Sequence, residues 1–151
     1  SATTRAPRKG EVDGVNYFFL TREEFDRRVA NGEFVEWAEV HGNCYGTLVS
    51  EVTSKLASGS SLILEIDVQG ALQVKERFPE AVLIFIKPPS LEVLRDRLVG
   101  RGTETPETIE LRMANAADEL ALADRDDVVV NDDLDRATDE LVRVLDMHER
   151  I

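Results

Sequence analysis

Leu62-Ile63-Leu64-Glu65-Ile66-Asp67-Val68-Gln69-Gly70 compresses an apolar run, a terminal acid and the opening of a helical pattern into one short stretch. The run is too brief for a buried helix and reads as a strand, and the helix that follows runs to Phe78-Pro79. The same order then repeats. Ala81 to Ile86 is a second apolar run, broken by Pro88-Pro89, and Ser90 caps the next helix, which Gly100 and Gly102 end. Residues 105–123 read as an acidic amphipathic helix, Val128-Val129-Val130 as a third strand and 134–150 as a closing helix. Apolar strands alternating with helices predict an α/β fold with a parallel sheet covered on both faces. Three strands make a narrow sheet, so the expectation is that part of the domain is missing.

Upstream of residue 62 the pattern is mixed. Asp13-Gly14 marks a turn before a short strand that ends near Leu20. Thr21-Arg22-Glu23-Glu24 is a capping-box sequence opening a helix that Gly32 ends. Glu33 to His41 reads as a strand, and strict alternation places Phe34, Glu36, Ala38 and Val40 on one face. Glu36 is then a carboxylate on an apolar face, needing a cation or a ligand to supply donors. Gly42-Asn43-Cys44-Tyr45-Gly46-Thr47 reads as a glycine-bracketed loop carrying a phenol and a hydroxyl, either a plain turn or a site. Leu48, Val49, Val52 and Leu56 have helical spacing, and Gly59 stops that helix.

Composition narrows the function. The chain has 151 residues, 42% of them hydrophobic and 32% charged, which is one domain's worth of globular sequence. Its net charge of −12 argues against nucleic-acid or anionic-membrane partners, which need extended basic surface. No apolar run approaches the roughly 18 residues of a membrane span, and no signal-peptide pattern opens the chain. A single cysteine, Cys44, excludes an internal disulfide and fits a reducing cytoplasm; it reads as a half-buried thiol without a role. His41 and His148 have no neighbouring ligand pattern, so no metal site is expected from protein side chains alone.

Against that acidic background, Ser1-Ala2-Thr3-Thr4-Arg5-Ala6-Pro7-Arg8-Lys9-Gly10 holds three cations, three hydroxyls and no acid. Arginine forks and hydroxyl donors suit one small anion, most simply phosphate, the alternative being a basic end with no ligand. Asp67 and Asn131 fall at strand carboxyl ends, where open α/β sheets bind ligands. Asp67 faces a magnesium ion or substrate there, or it caps the next helix; both readings stand. Arg97 and Arg101 share one helix face, a repulsive arrangement unless an anion lies near them, and the glycines around Arg101 permit close approach to a ligand. Arg112 lies on the acidic helix, where the plain role is a salt bridge.

These segments, taken in order, resemble guanylate kinase, most closely its bacterial type. The resemblance is carried by residues 1–8, Gly10-Glu11-Val12-Asp13-Gly14 with Tyr17-Phe18-Phe19, and Glu36-Trp37-Ala38-Glu39-Val40-His41-Gly42-Asn43. Tyr45-Gly46-Thr47, Leu64 to Gly70, Pro88-Pro89-Ser90, Arg97 with Gly100-Arg101-Gly102-Thr103, and Val130-Asn131-Asp132-Asp133 continue it. The resemblance implies a P-loop nucleoside monophosphate kinase fold and ATP-dependent phosphorylation of GMP to GDP, with Mg²⁺ accompanying ATP. It implies a GMP-binding insert at 1–50, a core of 51–92 with 123–151, and a lid at 93–122. Ser1, Arg5, Arg8, Tyr17 and Tyr45 then match the clamp on the GMP phosphate, and Glu36, Thr47 and Asp67 the guanine readers. Arg97, Arg101 and Arg112 match lid cations that act with Arg5 on the transferring phosphoryl group, and Asn131 an adenine-side contact. Asp67 lies near the expected position of the magnesium ion.

Two departures accompany the resemblance. Cys44 stands where the family commonly has a second aromatic residue. No stretch matches the family's phosphate loop, G-x-x-x-x-G-K-[ST]; Gly59-Ser60-Ser61 has no lysine. The expectation is therefore truncation, with the first strand, P-loop and first helix lying outside these residues, and a chain that binds GMP but is catalytically incomplete. The alternative from another class is a non-catalytic guanylate-kinase-like interaction module of a scaffold protein. Such modules usually degrade the lid arginines and base-reading residues, all of which are competent here. The expected partners are GMP and ATP, in a cytoplasmic monomer or homo-oligomer without nucleic-acid or membrane contacts.

Overall fold

The computed structural model describes residues 1–122 and 127–149; the expected core segment 123–151 and the ends of the expected helices at 123 and 150 thus fall partly outside the described residues. Two compact units are present, Ser1–Ala81 and Val82–Ile151.

The first unit is built on a four-stranded sheet in the order β2-β1-β4-β3, comprising β1 (Ala2–Thr3), β2 (Phe18–Phe19), β3 (Phe34–Val40) and β4 (Asn43–Leu48). β1 runs parallel to β2 and antiparallel to β4, which pairs antiparallel with β3. Two strands here are additions to the sequence reading. The start of the chain forms one, with Ala2 and Thr3 fully buried in the middle of the sheet. Residues 43–48 are likewise a strand, closed onto β3 by a two-residue turn with His41 at φ 50° and Gly42 at φ 78°, the left-handed pair that a tight hairpin demands.

Helix α1 (Arg22–Ala30) starts as its sequence dictates, with the Thr21 hydroxyl accepting from the Glu24 N–H. Phe25 on its buried face stacks on Phe34 at 4.5 Å between ring centres and meets Trp37 edge-on at 6.2 Å. With Ala2, Cys44 and Leu48 the two phenylalanine rings form one core, and Trp37 stays more exposed at its edge. Cys44 is fully rather than half buried, and burial pushes its thiol pKa up.

The expected alternation along β3 fails at its start. The register slips between Phe34 and Glu36, so Val35 is an extra residue against β4. Phe34 and Trp37 face α1, while Val35 packs with Val52 of α2 (Val49–Ala57) and Val74 of α3 (Val68–Arg77). Glu36 is thereby separated from Phe34's face and turned towards Thr47 and Gly70. α3 also covers the outer edge of β3: Gln73 Oε1 accepts from the Trp37 N–H at 3.2 Å, and Arg77 donates to the Phe34 and Gly32 carbonyls.

The second unit has a two-stranded parallel sheet of β5 (Ile84–Lys87) and β6 (Asp127–Val130), with helices α4 (Leu91–Gly100), α5 (Pro106–Leu122) and α6 (Leu134–Glu149). Ser90 caps α4 through the Val93 N–H, as its position predicts. The first of the three expected core strands, Leu62 to Ile66, is not one. It forms no ladder among the described residues; Leu64 and Ile66 pack beside the Val35 core, and Ile63 stays exposed. A strand exists through its partners, and an apolar run without one remains irregular.

Candidate functional site

In the first unit the predicted residues fall into two groups. The first surrounds Arg5. Its guanidinium donates through both terminal nitrogens to Glu11, at 2.9 and 3.1 Å, and also to the Ala6 carbonyl at 2.8 Å. It lies 5.5 Å from the centre of the Tyr17 ring, and Tyr17 meets Tyr45 edge-on at 6.5 Å. Glu11 also accepts from the Arg8 backbone N–H at 2.7 Å. One carboxylate thus folds the basic stretch back on itself. The Arg5 side-chain bond, followed by the Arg8 backbone bond, holds the Glu11 carboxyl below its ordinary pKa, and the same pair raises that of Arg5.

Glu11 was not among the sequence candidates. The signal for it was the sharp end of the acid-free stretch, whose very next residue supplies the missing counter-charge. The hydroxyls are also partly committed. Thr3 donates to the Cys44 carbonyl at 2.8 Å, and the Thr4 oxygen accepts from the Cys44 N–H at 2.8 Å, so both brace β1 against β4. Ser1 and the Arg8 side chain are exposed. Arg5, Tyr17 and Tyr45 are therefore brought together around a fixed guanidinium, with Arg8 on the exposed turn beside them.

The second group surrounds Glu36. This carboxylate is only 8% exposed, and no ion pair to it occurs among the described residues. Its Oε1 accepts from the Thr47 hydroxyl at 2.7 Å, across the β3–β4 ladder where the two residues are directly paired. Its Oε2 faces Gly70 in the first turn of α3. Asp67, the cap of that helix, turns Oδ1 to the Gly70 N–H at 2.8 Å and is itself exposed. The capping reading of Asp67 is met geometrically, and it leaves Oδ2 outside the cap bond. Glu36 and Asp67 thus converge on Gly70, with Thr47 bonded to the other Glu36 oxygen, and the two carboxylates have acceptor capacity in excess of the protein donors they receive.

In the second unit Arg97 lies on α4 and Arg101 caps its end; both side chains are exposed. Arg97 comes within 3.5 Å of the Asp132 carbonyl, a contact too long to hold it firmly. Arg112 on α5 pairs with Glu104 at 3.1 Å, the salt bridge its surroundings suggested, and Arg95 links α4 to α5 through Glu110 at 2.6 Å. Asn131 directly follows β6, and its N–H donates to the Lys87 carbonyl at 2.8 Å. Among the described residues no group of three His, Cys, Asp or Glu side chains could hold a metal ion, and no helix is long and apolar enough to cross a membrane.

Comparison with known proteins places these residues in context. The sequence profile of a family described as guanylate kinase matches residues 1–148. The chain is 55% identical to the guanylate kinase of Halalkalibacterium halodurans over 96% of its own length and 72% of the relative. It is 57% identical to that of Gloeobacter violaceus, over 96% of the chain and 71% of the relative. Among solved structures, the crystal structure of guanylate kinase from Anaplasma phagocytophilum superposes with a TM-score of 0.72 at 40% identity, covering 97% of this chain and 72% of that one.

Proposed function

The chain belongs to the guanylate kinase family, and from that premise we propose how its residues divide the work of phosphorylating GMP to GDP with ATP. The observation that carries the assignment is Glu36: a buried carboxylate with a hydroxyl for a partner and no cation, where a protein built only for stability would place one. Guanine offers an N1–H and an amino group, the donors this acceptor-rich site lacks. Adenine would leave the carboxylates unpaired, which is how a polar site rejects the wrong base.

In this reading residues 1–50 bind GMP, 51–92 with 123–151 form the core, and 93–122 form the lid. Glu36 and Asp67 accept from the guanine edge. Thr47 has one proton and gives it to Glu36 in the free protein. When guanine N–H groups take over that carboxylate, the hydroxyl rotor turns and donates to O6 instead. Arg5, preset by Glu11 and Tyr17, clamps the GMP phosphate with Arg8, Ser1, Tyr17 and Tyr45. Arg5 also stabilises charge on the acceptor side as transfer proceeds.

Arg97, Arg101 and Arg112 neutralise the transferring phosphoryl group, and Asn131 contacts adenine. For phosphoryl transfer such positioning and charge neutralisation make up nearly all the catalysis a protein supplies. Mg²⁺ is expected to arrive with ATP, carried by the phosphates and screening their charge, with Asp67 nearby. A reducing cytoplasm suits the single buried thiol. The scaffold alternative has no observation in its favour.

The test is GDP formation from GMP, ATP and Mg²⁺ by the intact protein, with AMP as the competing acceptor. Arg101→Ala should abolish most turnover while leaving GMP binding in place. Equal phosphorylation of AMP would overturn the base-reading assignment, and undiminished turnover by Arg101→Ala would overturn its lid role.

A further inference from the structure

Gly70 is the third residue of α3 after its cap Asp67, and its φ is not positive. The backbone there would accept any L residue, and alanine would favour the helix. Conformational freedom therefore gives no reason for a glycine. Space does. A Cβ at this position would sit 3.1 Å from Glu36 Oε2, 3.2 Å from Asp67 Oδ1 and 3.4 Å from the Ile66 Cβ. Neither carboxylate can give way without loss: Glu36 is buried and tied to Thr47 through Oε1, and Asp67 Oδ1 is tied to the Gly70 N–H.

We propose that Gly70 is a specificity-determining residue of the GMP site, its missing side chain allowing the Glu36 and Asp67 carboxylates to stand around one point. This rests on the assignment of those two residues as guanine readers. A methyl group would push Oε2 away by a few tenths of an ångström, a displacement that lengthens and weakens a hydrogen bond to a rigid base edge. The residue acts through the two carboxylates and need not touch the base.

The test is calorimetric titration of GMP and of AMP into the intact protein, its Gly70→Ala and Glu36→Ala variants and the double variant, with thermal unfolding of each. Gly70→Ala is expected to weaken GMP binding about tenfold or more and AMP binding much less, with thermal unfolding showing that the variant stays folded. In the Glu36→Ala background, where the crowded oxygen is gone, Gly70→Ala should cost clearly less GMP affinity. Unchanged GMP binding by Gly70→Ala overturns this inference alone. So does equal loss for both nucleotides, or the same loss with and without Glu36. A wild-type protein that does not prefer GMP to AMP overturns the site assignment and this inference with it.

Discussion

Replacing Glu36 by glutamine separates base recognition from folding, because the two Glu36 oxygens have different partners. Oε1 accepts from Thr47 at 2.7 Å, and Oε2 faces the first turn of α3. In Glu36→Gln the amide oxygen can keep the Thr47 bond, leaving the NH₂ on the α3 side. The fold then retains its buried hydrogen bond, and unfolding free energy should move by less than about 1 kcal/mol. Guanine fares differently: a charge-assisted bond worth roughly 1.5–3 kcal/mol is lost, and an NH₂ donor confronts its N–H donor. The expected cost is about 2–4 kcal/mol, roughly 30- to 700-fold in Kd. AMP, which presents no such donor pair to Glu36, should lose little. Calorimetric titration of both nucleotides, with urea unfolding alongside, reads all three quantities. Matching losses for GMP and AMP, or a large fall in stability with selectivity intact, would show Glu36 to be a structural acid and refute the reasoning.

Arg5→Ala and Arg8→Ala should each cost about 2–5 kcal/mol of GMP affinity if the phosphate bond is charge-assisted and desolvated, with guanosine nearly indifferent; equal weakening of guanosine in titrations would make them scaffold residues. The lowered Glu11 pKa implies stability that is fully present above the ordinary carboxylate range and lost as pH falls through the depressed folded-state value. The stability gap between wild type and Glu11→Gln, followed by denaturant titration, should therefore be constant near neutrality and close in acid; a gap independent of pH would contradict the pairing. Gly46→Ala places a Cβ 2.6 Å from the Phe34 ring and 2.9 Å from the Glu36 carbonyl oxygen, so it should destabilise by about 1–3 kcal/mol and lower the melting temperature, with an unchanged melt as the contrary result.

Much of this was legible from local chemistry, and the rest depended on long-range partners. Thr21, Ser90 and Asp67 cap their helices because a hydroxyl or carboxylate before a helical pattern has few better uses than a free N–H. Leu62 to Ile66 failed as a strand because no composition rule reveals whether a ladder partner exists. Gly42 to Thr47 reads as a loop from its glycines, yet Gly46 is there to clear the Phe34 ring, a contact between residues twelve apart. The misplaced face of Glu36 is the most instructive error. Alternation predicted a carboxylate beside Phe34, in an aromatic core where it would have no donor. The extra residue Val35 moves it to the α3 side, against Thr47 and the helix start. A single unpaired residue thus converts an acid the core could not tolerate into one whose second oxygen lies outside the Thr47 bond, where the proposed base-reading role needs it. On that proposal the bulge matters as much as the side chains do. Deleting Val35 would restore strict pairing, return Glu36 to the Phe25 face, and remove GMP selectivity together with the core that Val35 shares with Val52 and Val74.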